Sequence, residues 1–151
     1  MNKAYLGFGS NIGNGRLHVK KAWQALSLVP GVTPLRISSF YKTAPWGYTD
    51  QPDFINACAE IETSLSPEAL LGVCLGIEAG LGRVRAIKNG PRVIDIDLLL
   101  YSGETRDTDE LTLPHPRMWQ RRFVLDPLYE ITAGTPLGDR VKEAIAALPD
   151  E

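Results

Sequence analysis

Asp95 and Asp97 stand two residues apart in the run Val93-Ile94-Asp95-Ile96-Asp97-Leu98-Leu99. Side chains two apart on a strand share a face. Both carboxylates therefore point one way with Val93, Leu99 and Tyr101, while Ile94, Ile96, Leu98 and Leu100 point the other. The aliphatic face is a core face. Acids side by side repel each other and are poor strand formers, so stability alone gives no reason for the pair. A magnesium ion bound to phosphates would give one, because this hard cation takes oxygen ligands from one or two carboxylates plus substrate phosphates. Just upstream, Arg83, Arg85, Lys88 and Arg92 fall in one segment free of acids. Two readings of that segment stay open: a solvated basic loop, or cations placed to meet a polyphosphate with its metal. A second copy of the acidic pattern, Asp107-Thr108-Asp109, sits among Gly103, Glu104, Thr105, Arg106 and Glu110 and is most simply a solvated turn.

Length and charge bound what surrounds this chemistry. At 151 residues the chain has the size of one domain with a real core. A net charge of −2 argues against a general nucleic-acid or membrane binder. The first ten residues hold too short an apolar run for a signal peptide, and nothing approaches the ~18 apolar residues of a membrane span. Cys58 and Cys74 lie in apolar surroundings and read as ordinary buried thiols. Two cysteines and two histidines without clustered spacing do not make a zinc site. A cytoplasmic protein is expected.

The elements that must position the acids follow from periodicity. Residues 3–10 read as a strand, with Ala4, Leu6 and Phe8 on one side and Tyr5, Gly7 and Gly9 on the other. Residues 15–29 carry Val19, Ala22, Trp23, Leu26 and Val29 at helical spacing, stopped by Pro30-Gly31. Residues 33–43 read as one strand. In 53–63, Ile55, Ala57, Ala59 and Ile61 face the core while Phe54, Asn56, Cys58 and Glu60 face away. Ser66-Pro67 opens a second helix as cap and first-turn proline, with Leu70, Cys74, Ile77 and Leu81 as its buried stripe. The acidic strand covers 93–101. Phe123-Val124-Leu125, Leu128-Tyr129-Glu130-Ile131 and a short helix near 138–148 complete the chain.

The order is β-α-β-β-α-β, which predicts an α+β fold with a ferredoxin-like core. Its sheet would be mainly antiparallel, with helices on one face and C-terminal additions. The opposite face is left for Phe54, Asn56, Asp95 and Asp97. Two connections exceed what a compact domain needs: 44–52, aromatic and rich in Gly and Pro, and 82–92, cationic. The first suits a flat organic substrate and the second suits phosphates. An RNA-binding module on the same frame would carry stacking aromatics and bases on its open face. Here that face carries two acids, which repel phosphate unless a metal intervenes. Neither a Walker A sequence nor a complete dinucleotide fingerprint is present; Gly7-x-Gly9 marks a close backbone approach instead.

These pieces together resemble the 6-hydroxymethyl-7,8-dihydropterin pyrophosphokinases of folate biosynthesis. The matching residues run from about residue 4 to 131: Gly9-Ser10-Asn11, Ser39-Phe40-Tyr41-Lys42-Thr43-Ala44-Pro45, and Asp50-Gln51-Pro52-Asp53-Phe54-Ile55-Asn56. They continue through Gly82-Arg83-Val84-Arg85, the Gly90-to-Leu99 stretch, Leu113-Pro114-His115-Pro116 and Arg121-Arg122-Phe123. The Gly-Pro-Arg-x-x-Asp-x-Asp element is the most specific of them.

The resemblance implies transfer of diphosphate from ATP to the hydroxymethyl oxygen of the pterin, with AMP leaving, by a single domain over 1–151. It implies two magnesium ions held by Asp95 and Asp97, with Arg83 and Arg92 among the catalytic residues. Arg83, Arg85 and Arg92 would clamp phosphate oxygens through their planar donor forks. His115 and Arg121 carry over as phosphate contacts, Thr112 as a nucleotide contact, and Glu78 and Leu98 as further ATP-binding positions. On the pterin side Phe54 and Phe123 would stack, Asn56 would read the amide-like edge, and Thr43, Pro45 and Trp46 would line the pocket. A monomer acting on ATP and hydroxymethyldihydropterin is implied, with neither nucleic acid nor membrane as partner. The chain departs from many relatives at Trp46, where a smaller aliphatic residue is usual. It also carries Ile87-Lys88-Asn89 where some have an aromatic lid residue, and Glu110 where a basic residue could meet adenosine.

Overall fold

Alternation of Ala4, Leu6 and Phe8 with Tyr5, Gly7 and Gly9 produces β1 (Asn2–Ser10), which has a neighbour on each side. β4 (Phe54–Thr63) pairs antiparallel along its length, from Asn2 opposite Thr63 to Ser10 opposite Ile55. β5 (Asp95–Tyr101) pairs antiparallel on its other side. β2 (Val32–Ile37) and β3 (Tyr41–Thr43) both pair with β4, giving the order β2-β4-β1-β5 with β3 continuing beside β4. The structure is a computed structural model that describes residues 1–45, 49–82 and 91–149. Trp46, Arg83, Arg85 and Lys88 lie outside the described residues.

α1 (Gly15–Ser27) is capped by Asn14, whose side chain accepts from the Leu17 N–H, and α2 (Pro67–Gly80) by Ser66, which accepts from Ala69. Val19, Ala22 and Leu26 of α1, with Leu70 and Cys74 of α2, pack on Ala4, Leu6, Ala57, Ala59, Ile61, Ile96 and Leu98. Fully buried residues such as Leu6, Leu26, Ile61 and Leu70 each contribute about 1.5–3 kcal/mol relative to exposure.

The sheet is covered on both faces, not one. α3 (Arg122–Thr132) and α4 (Pro136–Ala146) build a second core against Cys58 and Leu99, with Tyr5 and Leu100 at its margin. The two apolar runs of the C-terminal third therefore belong to one helix, α3. Only the part of this face beyond Cys58 and Leu99, where Phe54, Asn56, Asp95 and Asp97 lie, is left to form a cleft.

Two local irregularities break the expected strand patterns. Residues 33–43 are two strands because Ser38 leaves the ladder: its N–H donates to the Cys58 carbonyl, while its hydroxyl accepts from the Cys58 N–H. A side-chain oxygen thus replaces a backbone partner. In β5 the register shifts, with Leu6 opposite Leu98 and Tyr5 opposite Leu100. Leu99 is the bulged residue. Leu99 and Leu100 consequently both meet the second core, and Tyr101 turns into the first.

Candidate active site

The cleft starts from three strands in register. Across β4, β1 and β5, Asn56 lies opposite Gly9, which lies opposite Asp95; one step on, Cys58, Gly7 and Asp97 align in the same way. Neighbouring strands are about 4.8 Å apart, so Asn56 and Asp95 are separated by roughly 10 Å with only glycine between them. The missing side chains make the trough. A Cβ at Gly9 would stand 3.2 Å from Asn56 Oδ1, and one at Gly7 would touch the Leu99 methyls at 3.5 Å.

Phe54, Asn56, Thr43 and Ala44 wall one side of this cleft, and Phe123, Val124 and Arg121 another. Asn56 donates through Nδ2 to the Thr43 hydroxyl, which ties β4 to β3 within the pocket. The Arg121 guanidinium lies 5.5 Å from the Phe123 ring centre, within cation–π range. Burial, helped by the Arg117 and Arg92 charges and opposed by the Asp97 and Asp95 carboxylates, leaves the Arg121 guanidinium below its ordinary range, yet a guanidinium remains charged.

At the far wall stand the acids. Arg92 Nη1 lies 3.0 Å from Asp95 Oδ2, an i,i+3 pair with both side chains about one-fifth exposed. Burial, and then the Asp95 carboxylate beside it, push the Asp97 carboxyl well above the usual carboxylate range; Arg121 and Arg92 pull the other way but lose. Negative charge is therefore in excess at this point. That excess, on hard oxygen donors facing an open cleft, fits a divalent magnesium ion. Among the described residues no group of three or more His, Cys, Asp or Glu could hold a metal.

Among the described residues β5 is an edge strand of the sheet, and its outer backbone groups organise a second cavity. Glu78 of α2, 4% exposed, accepts the Ile96 N–H through Oε2 at 2.7 Å, and the His115 N–H donates to the Leu99 carbonyl at 2.9 Å. Edge groups that would otherwise be orphaned thus hold two expected ATP-binding residues in place. Burial and the Arg121 charge lower the His115 ring below its ordinary range, favouring the neutral ring. The cavity is lined by Glu78, Asp95, Asp97, Leu98, Thr112 and His115, together with Leu71, Leu75, Asp109, Glu110 and Leu111.

Asp95 and Asp97 line both cavities. Thr43, Phe54, Asn56, Phe123, Arg92 and Arg121 gather in the first, and Glu78, Leu98, Thr112 and His115 in the second. Arg121, expected on ATP, lies on the wall beside Phe123. Pro45 follows Ala44, which lines the first cavity, but lines neither cavity itself. Trp46, Arg83 and Arg85 fall outside the described residues. Sequence reasoning missed Cys58 and Val124 as lining residues, and the use of Glu78 on the Ile96 backbone. The alternation that puts Cys58 on the face of Asn56 was a usable signal for the first; nothing local announces the last.

Residues 5–133 match the model of the 7,8-dihydro-6-hydroxymethylpterin-pyrophosphokinase family. A relative in Methylorubrum extorquens, named 2-amino-4-hydroxy-6-hydroxymethyldihydropteridine pyrophosphokinase, is 48% identical over 98% of this chain and 94% of its own. Proteins of the same name in Bacillus subtilis and Haemophilus influenzae are each 43% identical, covering 99% and 88% of this chain and 87% and 83% of theirs. With the family model spanning most of the sequence and its most specific motif forming the junction of two cavities, this chain belongs to the 7,8-dihydro-6-hydroxymethylpterin-pyrophosphokinase family.

Proposed function

We propose that the chain transfers the terminal diphosphate of ATP to the hydroxymethyl oxygen of 6-hydroxymethyl-7,8-dihydropterin, releasing AMP, at the junction of the two cavities. The reaction type rests on family membership. Its placement is carried by one observation: the acids Asp95 and Asp97 belong to both cavities, where a donor and an acceptor lying on either side would meet.

On the first side, Phe54 and Phe123 stack on the pterin, Asn56 reads its amide-like edge, and Thr43 fixes the Asn56 amide. The family resemblance adds Pro45 and Trp46 as further pterin contacts. On the second side, Leu98, Thr112, Glu78 and His115 receive the nucleotide. Arg92 and Arg121 neutralise phosphate oxygens, joined by Arg83 and Arg85 from the basic segment. Asp95 and Asp97 would hold two magnesium ions together with the ATP phosphates, and the chemistry these would supply is neutralisation of charge on the transferred group. As a metal ligand Asp97 would be ionised. The chain's own contribution is positioning and charge neutralisation, with no covalent intermediate.

The strand order and antiparallel pairing support reading the sheet with α1 and α2 as a ferredoxin-like core, onto which α3 and α4 add a layer. We read 1–151 as one pyrophosphokinase domain, acting as a monomer in the cytoplasm with neither nucleic acid nor membrane as partner. Among the described residues no helix is long and apolar enough to cross a membrane. The test is product analysis. ATP labelled in both β- and γ-phosphates should pass both labels to the pterin, with one AMP formed per turnover. Stoichiometric ADP would overturn the reaction type.

A further inference from the structure

Asn11 follows β1 at the end of the sheet where both long segments return, 44–52 into β4 and 82–92 into β5. It is 6% exposed, and its side chain is used from both ends. Nδ2 donates to Gln51 Oε1 and to the Pro52 carbonyl, each at 2.9 Å. Oδ1 accepts the Arg92 N–H at 2.8 Å, and the Asn11 N–H donates to the Arg92 carbonyl at 3.0 Å. An amide alone offers two donors and an acceptor on one short planar group. Aspartate would lose the donors, serine would not reach both sides, and an aliphatic residue would bond to neither.

We propose that Asn11 is a positioning residue that sets the pterin-side segment and the phosphate-side segment relative to each other, and so couples the two substrates' sites. Gln51 and Pro52 lie two to five residues before Phe54 and Asn56. Arg92 is three residues before Asp95 and pairs with it. One buried amide thus fixes the approach of both walls, although Asn11 itself lines neither cavity. The inference rests on the assignment of Arg92 to phosphate and of the Phe54–Asn56 wall to pterin.

The test compares Asn11→Ala, Gln51→Ala and the double variant. Dissociation constants are measured for magnesium α,β-methylene-ATP, and for 6-hydroxymethyl-7,8-dihydropterin in the presence of that analogue. Loss of a buried hydrogen-bonded amide is worth about tenfold in affinity. Asn11→Ala should weaken both ligands by about that factor. Gln51→Ala, which removes one pterin-side partner of Asn11, should weaken the pterin about threefold and leave the nucleotide unchanged. The double variant should be no worse for the pterin than Asn11→Ala alone, because the two residues act through one contact. A lowered Tm with both affinities at parental values would make Asn11 a structural residue and overturn the proposal. So would weakening of one ligand only by Asn11→Ala, or full additivity in the double variant. If Asn11→Ala does not fold, Gln51→Ala still decides: an unchanged pterin affinity there overturns the pterin-side link. Failure of the underlying assignment shows separately, as an unchanged pterin affinity in Asn56→Ala.

Discussion

Asp95-Ile96-Asp97 and Asp107-Thr108-Asp109 share a pattern and almost nothing else. In the first, the middle residue is 4% exposed and packs in the core, so the strand is pinned and both acids are held on the opposite face. In the second, the middle residue folds back on its own turn: Thr108 Oγ1 donates to the Leu111 carbonyl and accepts the Leu111 N–H. Asp107 and Asp109 remain exposed, and the neighbouring Arg106 is occupied with Glu68 and Glu104. Asp109 lines the second cavity with Glu110, both from exposed positions. The residue between the acids decides whether two carboxylates become a poised pair or a hydrated turn.

The sharpest way to break that contrast is substitution in each copy. Asp95→Ala or Asp97→Ala should lower kcat by at least about 10²–10³-fold, the scale of losing a main electrostatic group at a reacting centre. Asp97→Asn should at the same time raise Tm by about 2–4 °C, since a charge held against burial and a like neighbour is removed. Asp107→Ala should change stability by no more than about 0.5 kcal/mol and leave kcat as it was. A severe loss at Asp107, or full activity at Asp95 and Asp97, would reverse the roles given to the two copies.

A smaller effect separates the two sides of the acidic junction. Asn56→Ala should weaken the pterin about tenfold while changing nucleotide affinity less than about twofold, read by equilibrium titration of each ligand. Equal losses would mean that the pocket had collapsed as a whole.

Smallest is the response of Glu130, a carboxylate of a third kind, exposed yet fully engaged. It accepts from the Ser39 N–H at 2.7 Å, the Ser39 hydroxyl at 3.0 Å and the Tyr41 hydroxyl at 2.7 Å. Burial works against its charge, but the bonds from Tyr41 and Ser39 outweigh it and hold Glu130 below the usual carboxylate range. Tyr41 is correspondingly pushed up to about 12 by burial and by its bond to Glu130. A depressed carboxyl stabilises the fold above its unfolded value and ceases to do so as pH falls through its folded one. The Tm difference between the parent and Glu130→Gln should therefore be largest near neutral pH and shrink as the pH falls below about 4.3. A constant difference across that range would remove the ionic part of the clamp.

The strand pattern of β1 and β4 and the Ser66-Pro67 helix start were legible because each rests on local periodicity or capping. So were the positions of Asp95, Asp97, Phe54 and Asn56. The second core was not: Phe123-Val124-Leu125 is a continuous apolar run, and only packing shows that it is helical. The break after Ile37 depends on Ser38 meeting Cys58, twenty residues away, and the grip of Glu78 on Ile96 depends on how α2 lies along an edge strand. The resemblance implies the roles of the candidate residues, and the fold adds how they are held.

The extra residue in β5 has a consequence for how this strand can change length. An insertion into a strand ordinarily turns every later side chain to the wrong face. Here the bulge absorbs it, because Leu99 and Leu100 share one face and the alternation resumes at Tyr101. Removing Leu99 would leave Asp95, Asp97, Leu100 and Tyr101 in phase with a regular strand. What would disappear is the pair of methyl groups over Gly7 and the carbonyl that holds His115. The cost of that deletion would thus fall on the trough floor and the second cavity, while the ladder itself would close without it.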